Sequence, residues 1–339
     1  MAAENIHQLK KNIIAIGRLL WEKDLVSGLN GNISARVDLE RILLTATGSC
    51  LGMLQEEDIL LMKLTGEMID QGKVSTEKLL HTEIYKNFKE TTAIIHTHLT
   101  FTNAYFLGNS VLKPRIFETR IYLGEVTGVP QDTPAVTDAG PVIEALKKNN
   151  IIALRNHGVV AIGQEHFDCF LLIQAIEEAA KIDAISRLYG NREQGSGIGN
   201  MGTSAGDKSS VSNGKKYTLF SQEQIDDIVK YVNEDQQLAE LGEKTNMTMD
   251  LAVKLDETGK TYSFKFKQGK ISEVGNDENA EFLINAPEKI WRAVFNREID
   301  PFVATTQKKM HLRGDFAKIS KWYAPCSRVF ELWARVPVE

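Results

Sequence analysis

Cysteine is scarce in this chain and long apolar runs are missing, and each absence removes a class of protein. Cys50, Cys169 and Cys326 are the three cysteines. They are odd in number, far apart and without a C-x-x-C spacing, which excludes a disulfide framework and a zinc knuckle and leaves reduced thiols in a reducing compartment. No apolar stretch approaches the roughly eighteen residues needed to span a membrane. Positive charge is not in excess either: the formal net charge is −5, the wrong sign for a nucleic-acid or anionic-membrane surface. The first residues do not read as a signal peptide. Leu9, Ile13, Ile16 and Leu20 recur at helical spacing, with Lys10, Lys11, Arg18 and Glu22 on the other faces, as in an amphipathic helix. A cytoplasmic protein is the expectation. With 42% hydrophobic and 25% charged residues over 339 positions, the chain has the composition of a soluble globular protein and the length for two domains.

Chemistry concentrates around Thr92-Ala93-Ile94-Ile95-His96-Thr97-His98. The apolar and β-branched residues predict a buried strand. Side chains alternate along a strand, so His96 and His98 leave it on one face. Two imidazoles at a strand end suit zinc or a related divalent cation; by itself the pair is equally well read as a strand cap. A second strand, Ile151–Leu154, delivers Arg155-Asn156-His157-Gly158 to a turn, with Gly158 leaving room for close approach.

Other signals are weaker one by one. Gly31-Asn32, entering a strand through Arg36, and Thr47-Gly48, ending the strand Arg41–Thr45, are each either an anion cradle or an ordinary turn. Ser75-Thr76-Glu77 opens a helix with Leu80, Ile84 and Phe88 inward, where hydroxyls cap free N–H groups or receive a phosphate. Glu77 in the first turn complements the helix dipole. His81, one turn on, is read as a structural histidine in preference to a rival metal ligand. Ser110 to Pro134 reads as irregular with strand-like pieces such as Ile121–Leu123, Pro141–Lys148 as a short helix, and His166–Tyr189 as a long one.

Residues 191–216 are rich in Gly and Ser, which predicts a flexible linker reaching about 25–30 Å. The second half, 217–339, begins with an amphipathic helix, then a half-buried strand over Met247–Leu255, a hairpin to Tyr262–Phe266, and further strands at Phe282–Ile284 and Lys309–Arg313. The expectation is a meander whose greasy face helices cover. Trp291, Trp322 and Trp333 are each read as core, with a roomy apolar cavity as the sharper alternative.

In their order, Gly31-Asn32, Thr47-Gly48, Ser75-Thr76-Glu77, His96-x-His98 and His157-Gly158 resemble the class II aldolase/adducin family over about residues 5–190. The resemblance implies an α/β fold, an α/β/α sandwich with a central, mainly antiparallel sheet, over residues 1–190. It implies that His96, His98 and His157 hold a divalent metal, most commonly Zn2+. Glu77 would act as acid/base, and Gly31, Asn32, Thr47, Gly48, Ser75 and Thr76 would bind a substrate phosphate. The implied reaction is cleavage of a small phosphorylated sugar or hydroxy-carbonyl compound through an enediolate, in a homotetramer with active sites between subunits. Decarboxylases, dehydratases and epimerases of the family are alternatives; Glu77, where related epimerases carry Asp, favours carbon–carbon cleavage. The chain departs from fuculose-phosphate enzymes near Asn109-Ser110, where Ile116 and Phe117 stand closest to an expected tyrosine.

The second half resembles the sterol carrier protein-2 family through its hairpins, Asn285-Ala286-Pro287 and His311-Leu312-Arg313-Gly314-Asp315. That implies an α+β domain accepting a lipid or acyl ligand. A lipid-binding protein with a non-catalytic scaffold as its first domain is therefore the reading from another class.

Overall fold

The computed structural model describes residues 2–193 and 215–339. Most of the expected linker, 194–214, lies outside the described residues. Two compact units result, Met1–Ile198 and Gly199–Glu339. Among the described residues no helix is long and apolar enough to cross a membrane.

The first unit runs α1 (Ala2–Glu22), β1 (Asn32–Arg36), β2 (Arg41–Thr45), β3 (Ile59–Lys63), α2 (Lys78–Asn87), β4 (Ala93–Thr97), α3 (Thr100–Gly108), β5 (Val111–Leu112), α4 (Phe117–Leu123), β6 (Val126–Val129), α5 (Gly140–Lys148), β7 (Ile151–Leu154), β8 (Gly158–Gly163) and α6 (His166–Glu193). Its strands form one sheet in the order β3-β2-β1-β4-β8-β7-β6-β5. Every pairing is antiparallel except β6 with β7.

Alternation explains how both faces are buried. Ile33, Leu43, Ile95 and Ala161 turn to one side and pack with Ile13 of α1, Phe106 of α3 and Ile173 of α6. Ile42, Ile94, Ile152 and Ile162 turn to the other and pack with Leu80 and Ile84 of α2 and Val142 and Leu146 of α5. A sheet covered twice needs near-continuous apolar strands, as Ile42-Leu43-Leu44 and Ile94-Ile95 supply. Each fully buried Ile or Leu contributes roughly 1.5–3 kcal/mol. The result is the expected α/β/α layering.

Two local readings are corrected. Ile121–Leu123 is not strand-like; it lies in α4, closed by Gly124. Glu77 does not lie in the first turn of α2: the helix starts at Lys78 with Glu77 as N-cap residue, and Ser75 Oγ accepts the Glu77 N–H at 3.2 Å.

The second unit runs α7 (Gln222–Glu234), α8 (Gln236–Thr245), β9 (Thr248–Leu255), β10 (Thr261–Lys267), β11 (Lys270–Gly275), β12 (Phe282–Ala286), α9 (Glu288–Phe295), α10 (Pro301–Thr306), β13 (His311–Arg313), α11 (Phe316–Lys321) and α12 (Tyr323–Trp333). The sheet order is β11-β10-β9-β12-β13. It is not a simple meander, because β12 crosses over to lie parallel to β9.

Trp291, Trp322 and Trp333 are buried in the core of this unit. The indoles of Trp291 and Trp322 donate to the Lys254 and Thr245 carbonyls at 2.9 and 3.2 Å. A separate apolar cavity lies among Met249, Leu251, Ile284, Phe302, Ile319 and Phe330, and its interior volume is about 30 Å³. That admits a water or two. The three tryptophans thus take the core reading, and none of them lines this small cavity.

Candidate metal centre

The site lies at the strand ends of the sheet face covered by α2 and α5. β4 is central, with Asn32 of β1 opposite His96 on one side and Val160 of β8 opposite it on the other. Directly opposed residues share a face, so the Asn32 amide stands beside the His96 imidazole. His98 follows two residues on, just past the strand end. His157 arrives from the turn between β7 and β8, where Asn156 takes a left-handed φ of 63°. The His157 N–H closes this turn on the Leu154 carbonyl at 3.1 Å.

Gly158 makes the approach possible. A Cβ there would sit 2.4 Å from the Thr97 carbonyl oxygen and 3.0 Å from ring carbons of both His96 and His98. Gly31 plays a similar part on the other flank: its φ is +86°, and a Cβ would meet the His96 carbonyl at 2.7 Å.

The three imidazoles converge. Their ring centroids are 4.8–4.9 Å apart, and their candidate ligand nitrogens all lie within 4.8 Å of one another. His96 Nδ1 is 2.9 Å from the Val159 carbonyl, so it carries the proton and Nε2 keeps its lone pair. That lone pair faces His98 Nε2 at 3.0 Å. Burial, with smaller contributions from the neighbouring histidines, holds His96 well below the usual imidazole range. Burial lowers His98 too, and burial followed by His98 brings His157 down to about 4. All three are therefore neutral near pH 7, the form that ligates a metal.

Glu77 completes the cluster. It is 4% exposed; its Oε1 lies 3.8 Å from His157 Nε2, and its Oε2 accepts the Val136 N–H at 3.3 Å. Burial raises its pKa, opposed in part by that N–H. Glu77 Oε1 and His157 Nδ1 are the buried side-chain polar atoms without a hydrogen-bond partner among the described residues. Unpaired buried polar atoms are costly and mark places where an ion or ligand belongs. A neutral three-nitrogen donor set beside an unsatisfied carboxylate oxygen fits a divalent cation.

The remaining expected residues lie on three neighbouring segments. The Ile33 N–H donates to Thr45 Oγ1 at 3.2 Å, the Ser75 N–H to the Thr45 carbonyl at 3.0 Å, and the Thr47 N–H to the Lys73 carbonyl at 2.9 Å. These bonds bring the segments carrying Gly31-Asn32, Thr47-Gly48 and Ser75-Thr76 alongside one another. Thr47, Gly48 and Thr76 are exposed, whereas Asn32 and Ser75 are buried.

His81 stands apart from the triad and is tied to Asn32 and Ser34. Two supporting residues carried no sequence signal. Asn103 of α3 donates to the His157 carbonyl at 3.1 Å. The buried Glu177 of α6 accepts from the Phe101 N–H, the Thr102 N–H and the Thr102 hydroxyl at 3.1, 3.0 and 2.9 Å.

Residues 11–184 match the sequence profile of the class II aldolase and adducin N-terminal domain. The chain belongs to this family. Residues 229–325 match that of the SCP-2 sterol transfer family. Among family members, an L-fuculose phosphate aldolase of Methanocaldococcus jannaschii is 35% identical over 180 residues, covering 53% of this chain and 97% of the relative. A 3-oxo-tetronate 4-phosphate decarboxylase of Haemophilus influenzae is 31% identical over 180 residues, covering 51% of this chain and 85% of the relative. The crystal structure of the L-fuculose-1-phosphate aldolase of Thermus thermophilus superposes with a TM-score of 0.50 at 28% identity, covering 57% of this chain and all of that one. The class II aldolase relatives of this chain thus include both an aldolase and a decarboxylase.

Proposed function

We propose that residues 1–190 form a metal-dependent carbon–carbon lyase acting on a small phosphorylated hydroxy-carbonyl compound. Residues 217–339 form a separate hydrophobic-ligand domain joined to it through 191–216. The observation that carries this reading is the convergence of His96, His98 and His157 beside the unsatisfied carboxylate oxygen of Glu77. The donor set suits Zn2+. Bound there, the ion supplies positive charge to substrate oxygens on which negative charge builds as the bond breaks.

The chain's own residues do the rest. Val159 and Asn103 hold the His96 ring and the His157 backbone in place. Glu77, kept dry and with a raised pKa, is suited to take and return one proton at its free Oε1. Gly31, Asn32, Thr47, Gly48, Ser75 and Thr76 form the phosphate cradle, and binding energy gained there, away from the reacting carbon, orients the substrate.

Decarboxylation is the second reading, and a specific feature favours it. Ile116 and Phe117 carry no hydroxyl where fuculose-phosphate enzymes are expected to have a tyrosine, and departing carbon dioxide needs no proton donor. A homo-oligomer is supported by exposed apolar side chains on two packed helices: Phe117 and Tyr122 on α4, Ile185 and Leu188 on α6. The second unit's ligand, a lipid or acyl chain, requires its narrow cavity to widen.

The test is a panel of ketose phosphates and phosphorylated 3-oxo acids with metal-loaded protein, following dihydroxyacetone phosphate and carbon dioxide. Turnover of one class, abolished by EDTA and restored by Zn2+, is expected. Glu77→Gln should keep its metal and lose roughly 10²–10⁴-fold in kcat. Wild-type turnover by that variant removes Glu77 from the chemistry.

A further inference from the structure

Behind Asn32 runs a buried chain of side chains, His81, Ser34 and Tyr85, that the lyase chemistry does not use. His81 of α2 is fully enclosed. Its Nε2 is 2.5 Å from Asn32 Oδ1 and its Nδ1 2.6 Å from Ser34 Oγ. Ser34 Oγ in turn is 2.9 Å from the Tyr85 hydroxyl. Asn32 and Ser34 are the alternate residues of β1 that face α2, and the His166 ring N–H bonds the Ser34 carbonyl at 2.9 Å to hold that strand.

The distances favour one direction along this chain. Asn32 Oδ1 can only accept, so His81 Nε2 carries the proton. A neutral imidazole has one N–H, so Nδ1 must accept, and the Ser34 hydroxyl donates to it. Ser34 Oγ is then left as an acceptor for Tyr85. The alternative acceptor for Tyr85 is the Thr92 carbonyl, but at 3.4 Å it is farther than Ser34 Oγ at 2.9 Å. Burial lowers the His81 pKa to about 3, so the ring stays neutral at working pH. At the far end, Asn32 Nδ2 makes no hydrogen bond among the described residues and, unlike Glu77 Oε1, is not one of the enclosed unpaired atoms, so it keeps some access to solvent.

We propose that His81 is a positioning residue for the substrate's phosphate. Through the one-way chain Tyr85 to Ser34 to His81 it fixes the rotation of the Asn32 amide, so that the N–H₂ group, and not the carbonyl oxygen, faces the cradle. The inference rests on the phosphate site proposed above. A free amide presents oxygen or nitrogen according to its surroundings; an oxygen turned toward an anion repels it, while two N–H groups attract it. The locked chain removes that choice before substrate arrives, which is pre-organisation.

Inorganic phosphate is the probe, titrated into metal-loaded full-length protein by calorimetry, with metal content and melting temperature measured on each variant. Asn32→Asp keeps the acceptor for His81 and lacks the N–H₂ group, so it should lose phosphate binding. His81→Phe removes both ring nitrogens and should weaken phosphate about 10- to 100-fold, the effect of one misdirected hydrogen bond to a charged group. His81→Gln restores a donor and an acceptor and should stay within a few-fold of wild type. Ser34→Ala is the milder variant should His81→Phe fail to fold; freeing the ring to take either tautomer, it should weaken phosphate several-fold at unchanged metal content. Wild-type phosphate affinity in Ser34→Ala or in folded His81→Phe overturns the inference, as does equal loss in His81→Gln and His81→Phe. If wild type itself binds no phosphate, or Asn32→Asp binds it undiminished, the phosphate site falls and takes this inference with it.

Discussion

Gly158 is the residue on which the metal centre turns geometrically. A methyl group there cannot be absorbed by a flexible side chain, because the nearest atom is the Thr97 backbone oxygen at 2.4 Å. Either β8 shifts away from β4 or the His157 turn lifts. Gly158→Ala is expected to leave a folded protein whose bound metal, measured by elemental analysis after gel filtration, falls well below one ion per chain. A Gly158→Ala protein that retains a full equivalent would show that the turn tolerates displacement. The sequence announced this position, since His157-Gly158 is a short word whose chemistry needs no knowledge of the fold. It also placed His81 outside the triad, but nothing in the sequence could show that its ring lies against Asn32. That contact depends on how α2 crosses β1.

At the level of elements, strands were easier to read than helices. Arg41–Thr45 and Ile151–Leu154 stand where their apolar runs predicted. α3 and α8 were not foreseen, and Ile121–Leu123 proved helical. These helices are short, and β-branched or aromatic residues such as Ile121 and Tyr122 favour strands in isolation, so packing overrode local preference. α3 shows how that override is secured. From α6, Glu177 satisfies the N–H groups of Phe101 and Thr102 and the Thr102 hydroxyl, while α3 itself begins two residues after His98 and reaches the His157 carbonyl through Asn103. Bonds to a carboxylate contribute about 1.5–3 kcal/mol, and buried donors left unpaired add a penalty. Glu177→Ala is expected to destabilise the metal-free protein by at least about 2 kcal/mol in urea unfolding, and to weaken Zn2+ binding as α3 loosens. Unchanged stability would make the carboxylate dispensable.

Across the whole chain, the buried apolar clusters divide between the two units: those containing Ile95 and Ile94 lie within the first, and that containing Trp291 within the second. A chain with separate cores is expected to unfold in two transitions, each answering to its own perturbation. Metal bound only by folded His96, His98 and His157 stabilises the first unit by mass action, so EDTA should lower that transition alone. The second unit has its own handle in the Asp235–Arg328 pair, joined at 3.1 and 2.6 Å. Burial pushes the Asp235 carboxyl up, but the Arg328 guanidinium and the Leu238 N–H outweigh it and leave the pKa below its usual value. A folded-state pKa depressed in this way gives stability that is fully present above the unfolded value, near 4, and is lost as pH falls through the lower folded value. Arg328→Ala should therefore lower the second transition by roughly 1.5–3 kcal/mol at pH 7, with the difference from wild type shrinking below about pH 4. Calorimetry of wild type and variant, with and without EDTA, reads both effects at once. If Arg328→Ala and EDTA move the same transition, the two units fold as one.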